Sequence, residues 1–352
     1  MDSTSDLLRE TATRLFQEHC EAPRLRAAET EWPQAAWDAV EEAGLTKALI
    51  PETAGGYGVA VADALSLLRV AGEHALPIPL AETLLASWLL AGAGLPVPDG
   101  PLTIAPVAGG ETLALNRKDG IWRLQGRATR VPWARNAAAA AVLAQHDGRS
   151  HVALLSAEML SVEGGEGENL AREPRDTLTL DVVPEAVAPA AAGVGVTQLR
   201  AIGAAMRSLQ IAGALSHVTA ISVQYAQDRV QFGRPIGKFQ AVQQNLAVMA
   251  GQTAAASAAA DLAAEAVADG IRLLPIAAAK SRTGEAAGQA AAIAHQVHGA
   301  IGFTYEHELH FFTKRLWSWR DEFGNEAEWN LYVGRHMAKA GADRLWAEIT
   351  AA

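Results

Sequence analysis

At 352 residues, with 50% hydrophobic and 19% charged side chains, the chain has a globular composition and is too long for one ordinary core, so two or three domains are expected. Lysine plus arginine number 29 against 39 acidic residues, a net charge of -10, which excludes nucleic acid as the main partner because a phosphate backbone requires a basic footprint. One cysteine, Cys20, excludes an internal disulfide framework; with no signal peptide visible and no window of the ~18–20 apolar residues of a membrane span, a cytoplasmic protein is expected.

Residues 1–98 read as a helical domain. Ser5 to Cys20 and Trp32 to Ala43 carry apolar residues at three- and four-residue spacing, and Gly44 stops the second. Pro51-Glu-Thr-Ala-Gly-Gly-Tyr-Gly58 lacks the Gly-Lys-Ser/Thr ending of a phosphate-binding loop and reads as a tight connection. Helices near Val61 to Glu73 and Leu80 to Ala91 follow, separated by Leu76-Pro-Ile-Pro-Leu80, whose prolines a helix interior does not tolerate.

Residues 99–194 change texture. Short runs at Thr112–Leu115, Ile121–Leu124, Ala138–Ala144, Val152–Leu155 and Thr177–Val183 have strand length, and Lys118-Asp-Gly120 suits a hairpin turn. A small, mostly β domain is predicted. Residues 195–352 return to helix, first from Val196 to the corner Arg229-Val-Gln-Phe-Gly-Arg-Pro-Ile-Gly-Lys-Phe-Gln240, where Gly233 and Pro235 end it. An alanine-rich helix from Phe239 to Asp269 follows, then one from Leu274 to Val297, then helices near Glu308 to Trp319 and Ala327 to Ile349. Antiparallel helices joined by short turns make a bundle. The fold class is therefore α+β, with a helical domain, a β domain and a helical bundle in that order.

The corner places two arginines and a lysine in an acidic chain. By itself it fits a solvated basic loop as well as a binding site. Glu306-His-Glu-Leu-His310 spaces its histidines three apart, so the His-Glu-x-x-His metal pattern is not met and no metal is expected. No Gly-x-Ser-x-Gly elbow is present.

The order of domains, with Arg-x-x-Phe-Gly at the bundle's first corner, resembles the acyl-CoA dehydrogenase family. Three stretches carry the resemblance over nearly the whole chain: Trp37-Asp-Ala-Val-Glu-Glu-Ala-Gly-Leu45 running into Pro51–Gly58, Arg229–Gln240, and Gln296-Val-His-Gly-Ala-Ile-Gly-Phe-Thr-Tyr-Glu306. The resemblance implies FAD as cofactor, an acyl-CoA substrate, an electron-transfer flavoprotein or similar acceptor, and a dimer or tetramer of like or unlike chains. It also implies that the corner and the later Gln-x-x-Gly turn reach across a subunit interface to a neighbour's FAD. By position, Arg229 meets the pyrophosphate, for which a guanidinium fork is well suited. Phe232 packs on the adenosine side, Gln240 hydrogen-bonds nearby, and Gln296 and Gly299 form a second wall, the glycine permitting close approach.

The departures are equally specific. The family's Thr-Glu-Pro-Gly-Ala-Gly-Ser-Asp flavin loop is replaced by Thr103-Ile-Ala-Pro-Val-Ala-Gly-Gly-Glu-Thr112. The Trp-Ile-Thr strand beside the isoalloxazine is replaced by Arg130-Val-Pro132, and proline has no N–H to give, with Trp133 one position beyond. The half-site for the chain's own FAD is thus eroded and the half-site for a neighbour's is intact. The two positions the family uses for its general base hold Phe323 and Gly203. Asp321 and Glu322, just before Phe323, offer a base if the loop shifts by a residue or two; a solvated acidic loop is the alternative. This drift resembles heteromeric members of bacterial steroid and side-chain catabolism, in which two unlike subunits share each active site. Three readings follow: a subunit that dehydrogenates a bulky acyl-CoA, a non-catalytic partner that completes a companion's FAD site, and a helical scaffold without cofactor.

Overall fold

A computed structural model describes residues 4–350. The chain folds as N-terminal helices, a middle sheet and a C-terminal helical bundle, and its contacts gather into two units. The first takes the chain up to His19, Arg26–Ala64 and Pro77–Gly203; the second takes Cys20–Leu25, Leu65–Leu76 and the chain from Ala204 onward.

The N-terminal helices are α1 (Thr4–His19), α2 (Ala22–Ala27), α3 (Gln34–Glu42), α4 (Val61–Glu73) and α5 (Leu80–Gly92). Helix α2 was not foreseen, being too short to show a period. Helix α5 buries residues on every side, including Leu80, Leu84, Leu85, Leu89 and Leu90, as its lack of charge apart from Glu82 requires. The Thr83 hydroxyl oxygen accepts the Leu102 N–H at 3.1 Å and ties α5 to the sheet.

That sheet holds β1 (Leu102–Ala105), β2 (Ala114–Lys118), β3 (Ile121–Pro132), β4 (Ala139–His146), β5 (Arg149–Ser156), β6 (Arg175–Val182) and β7 (Ala186–Pro189). Its order is β6-β3-β2-β4-β5-β7, with β1 parallel to β4. Strands β2 and β3 close over Asp119 and Gly120, both at positive φ (52° and 84°), the two-residue turn whose twist matches paired strands. Strand β3 runs eight residues beyond its predicted end, through an irregularity between Ala128 and Val131 where Arg130 takes φ 53°. Leu115, Leu124, Val142, Leu155 and Leu178 fill the core.

The bundle comprises α6 (Val196–Asp228), the hairpin β8 (Val230–Gln231) and β9 (Arg234–Pro235), α7 (Gln240–Ala268), α8 (Leu273–His298), α9 (Leu309–Asp321), α10 (Glu326–Ala340) and α11 (Leu345–Thr350). The single helix expected over Ala327–Ile349 is broken at Gly341, whose φ of 83° no helix contains. On α8, Ala286, Ala287, Ala290, Ala291 and Ala294 form one small-residue face in a core that also holds Phe311, Phe312, Leu316 and Trp319. Within the second unit α4 and α6 cross at backbone contact. A Cβ on Gly72 would overlap the Gln210 carbonyl, and one on Gly213 the Arg69 carbonyl. Among the described residues no helix is long and apolar enough to cross a membrane.

Candidate functional site

The first corner of the bundle points outward. Helix α6 ends with Arg229 N–H bonded to Tyr225 O at 2.9 Å, and Ile236 N–H then returns to Arg229 O at 2.8 Å. Between them Val230 pairs with Pro235 and Gln231 with Arg234, leaving Phe232 and Gly233 as the turn, at φ 51° and 78°. Glycine accepts that conformation; phenylalanine does so against its preference. Phe232 is nevertheless 93% exposed, touching Phe239 only edge-on at 6.1 Å. Arg234 lies over the Phe239 ring at 4.3 Å and braces the hairpin's base. The Arg229 side chain is exposed and makes no hydrogen bond or ion pair with another described residue. Gln240, the first residue of α7, is exposed too.

Helix α8 ends beside this corner. Tyr225 stacks on His298 with centroids 4.6 Å apart, and His298 meets His307 edge-on at 4.7 Å. The stack joins the last turn of α6, which leads to Arg229, to the last turn of α8, which carries Gln296. The sequence gives no sign of it, since no spacing links Tyr225 to His298. His298 is buried, with Nδ1 donating to Ala294 O at 2.8 Å, and burial pushes its pKa below the ordinary histidine value. Gln296 is exposed, and Gly299 takes φ 62° and ψ -141°, a backbone region that glycine alone occupies freely. A Cβ on Gly299 would meet no atom of this chain, so the conformation leaves its backbone open to a ligand or a neighbouring chain.

The acidic corner at the end of α9 points inward. Phe323 and Gly324 make the turn at φ 56° and 97°. Glu322 Oε2 accepts from Nε and Nη2 of Arg207, both at 2.7 Å, and Arg207 Nη1 reaches Gln210 Oε1 at 2.5 Å. The Arg207 guanidinium also lies 5.6 Å from the Phe323 ring centre. Lys280, from α8 and 1% exposed, donates to the carbonyls of Trp319 at 3.1 Å and Arg320 at 2.5 Å. A cation there satisfies the unpaired end of α9 and opposes its dipole. Burial pushes the Lys280 pKa down to about 8, with Glu326, Glu322 and Asp321 acting against the shift. Asp321 itself is exposed. Arg207 and Lys280 were missed in the sequence because a lone cation on a long helix carries no motif.

In the first unit the flavin-loop region is occupied by its own contacts. Thr103 Oγ1 donates to Pro132 O at 2.5 Å, and the Trp133 N–H is spent on Pro174 O at 3.0 Å. The Trp133 ring, 6% exposed, sits edge-on to Trp32 at 6.0 Å. Glu111 Oε1 accepts both the N–H and the hydroxyl of Thr129, at 2.8 and 2.5 Å. Pro132 and Trp133 therefore offer no backbone donor to a cofactor. Arg229, Phe232 and Gly299 fit one: an unengaged guanidinium, an uncovered ring and a backbone open to approach.

The chain matches the acyl-CoA dehydrogenase N-terminal domain over residues 2–94 and the acyl-CoA dehydrogenase C-terminal domain over residues 196–320. It is 31% identical over 331 residues to acyl-CoA dehydrogenase IpdE2 of Mycobacterium tuberculosis, a match covering 88% of this chain and 89% of that protein. Among solved structures, a variant of the Tcur3481-Tcur3483 steroid ACAD superposes with a TM-score of 0.86 at 27% identity, covering 96% of this chain and 98% of that one. The ChsE4-ChsE5 complex from Mycobacterium tuberculosis gives 0.83 at 23% identity, covering 97% and 99%, and shares the fold. The chain belongs to the acyl-CoA dehydrogenase family, whose members are FAD-dependent oxidoreductases.

Proposed function

We propose that this chain is one subunit of an acyl-CoA dehydrogenase that forms an α,β double bond in the CoA thioester of a bulky, steroid-like acyl chain, working beside an unlike companion. The observation that carries this reading is the outward hairpin: Phe232 is held at φ 51° and 93% exposed, next to an Arg229 whose side chain has no partner among the described residues. Strain and exposure both cost free energy, and a neighbouring chain that covers the hairpin offsets them. The steroid ACAD among the structural relatives supports the substrate class.

FAD would supply the hydride acceptor for the β-carbon. Arg229 would hold its pyrophosphate by charge-assisted hydrogen bonds, Phe232 would cover the adenosine side, Gln240 and Gln296 would hydrogen-bond nearby, and Gly299 would admit the cofactor against bare backbone. These residues complete the site of the companion, since Pro132 and Trp133 leave this chain's own half short of donors. The α-proton passes to a carboxylate of the companion. The alternative, with Glu322 or Asp321 as base, is favoured by their place just before Phe323; Arg207 on Glu322 Oε2 weighs against it. Electrons pass on to an electron-transfer flavoprotein or similar acceptor, and the assembly is a cytoplasmic dimer or tetramer.

The test is purification with and without the proteins encoded beside it. A colourless chain that becomes yellow and active only when co-expressed with a second dehydrogenase-like subunit is the expected result. A chain that binds stoichiometric FAD alone and turns over acyl-CoA unaided overturns the heteromeric reading, and absence of flavin under every condition favours the scaffold.

A further inference from the structure

We propose that the first unit carries a recognition pocket for a guanidinium group, at the start of α3 and apart from every residue assigned to FAD above. A cavity of about 420 Å³ opens there, lined by Trp32, Trp37, Asp38 and Glu41 of the α3 region and by Asn136. Its aromatic wall is fixed. Trp32 and Trp37 lie 6.0 Å apart at 41°, and the edge-on contact of Trp32 with Trp133, also at 6.0 Å, braces it from behind. Both indole N–H groups are already committed, Trp32 to Gln34 Oε1 at 2.9 Å and Trp37 to Glu41 Oε2 at 3.2 Å. Trp37 is 2% exposed and backs the wall, so half-buried Trp32 has a π face to offer a ligand, and no donor.

The charged groups of the pocket have one sign. Asp38 and Glu41 line it, and no lysine, arginine or histidine does. Glu41 Oε1 is held by the Gly100 N–H at 2.9 Å, and Asp38 Oδ1 by Gln34 Nε2 at 2.6 Å, which positions both carboxylates and leaves Asp38 Oδ2 open. Asn136 lines the cavity too, and its Oδ1 is buried with no hydrogen-bond partner among the described residues. A buried acceptor without a donor is costly, and a ligand that brings one relieves the cost.

An electron-rich face, two carboxylates and an orphan acceptor together select a cation that is flat and rich in N–H. Guanidinium meets all three conditions: it stacks on indole, and its fork of donors reaches a carboxylate and an amide oxygen at once. A quaternary ammonium meets only the first. The volume exceeds a guanidinium head and leaves room for the group that bears it. That group is either a free small molecule or an arginine side chain of a companion chain.

The experiment titrates arginine amide and, separately, tetramethylammonium into the FAD-loaded assembly and into the chain alone, followed by tryptophan fluorescence and calorimetry. Saturable binding of arginine amide is expected, with tetramethylammonium at least about tenfold weaker. Asp38→Asn and Asn136→Ala each weaken arginine amide by about tenfold, while Glu42→Gln, an exposed carboxylate outside the cavity, leaves it unchanged. Binding to the assembled enzyme identifies a free ligand; binding to the chain alone, with release of the companion on titration, identifies a partner's arginine. No saturable binding to either form, or binding indifferent to both Asp38→Asn and Asn136→Ala, overturns the proposal. Flavin content is not the readout, so failure here leaves the FAD reading untouched.

Discussion

Two corners of one helical bundle each place a phenylalanine beside charged side chains, and they face opposite ways. At Arg229–Gln240 the guanidinium is unengaged and the phenylalanine uncovered. At Glu322–Gly324 the carboxylate, the guanidinium of Arg207 and the ammonium of Lys280 are locked to partners inside the unit. Both turns put a phenylalanine at positive φ, Phe232 at 51° and Phe323 at 56°, yet Phe232 is exposed and Phe323 is 6% exposed under Trp329, whose indole N–H donates to Phe323 O at 3.1 Å. Local backbone geometry is thus shared, and surroundings decide whether a corner's side chains lie open or are locked into the fold.

The largest effect should come from breaking the inward corner. Arg207→Met leaves Glu322 largely buried without its cation and should cost about 3–5 kcal/mol in denaturant unfolding. Glu322→Gln should also lower stability while flavin content and turnover persist below the new melting point. If it instead abolished turnover with stability and flavin unchanged, Glu322 would be the base and the contrast between the corners would fail.

Next comes the outward corner. Arg229→Ala should weaken FAD in the assembled enzyme by about 10–100-fold, the worth of a hydrogen bond to a charged group, with no change in the melting of the isolated chain. Flavin retained at wild-type level would remove Arg229 from the site.

A smaller effect is expected from pH. His295, His298 and His307 all have pKa values lowered by burial, so the unfolded chain binds more protons than the folded one between their folded values and about 6.5. Their contribution is fully present above about pH 6.5 and is lost as pH falls through that range. The melting temperature should therefore drop between about pH 7.5 and 5.5, and less steeply in His298→Phe, which keeps the stack on Tyr225 without a titrating ring. The smallest effect is Phe232→Ser on the isolated chain, within about 0.5 kcal/mol since the ring is nearly bare, although assembly with the companion should weaken.

Much of the fold was legible because helix and strand periods are local. The helix predicted at Val61–Glu73 and the hairpin turn at Asp119–Gly120 stand where the residues put them. Strands β1 and β7 were not legible: each is four residues long, and Ala186–Pro189 has little β preference, so pairing with β5 alone makes it a strand. The outward corner was readable as a turn between two helices because Gly233 and Pro235 sit between two helical patterns. The pocket at Trp32 was not, since Asn136 reaches it from the far side of the sheet sequence.

By itself the sequence determined the order of the three regions, the break at Gly233 and Pro235, and the family, since each is written in residues close together along the chain. Only the tertiary structure decided that Glu322 turns inward and that Tyr225 clasps His298. Arg207 stands 115 residues from Glu322, and a side chain at a helix end follows the charge that packing brings beside it.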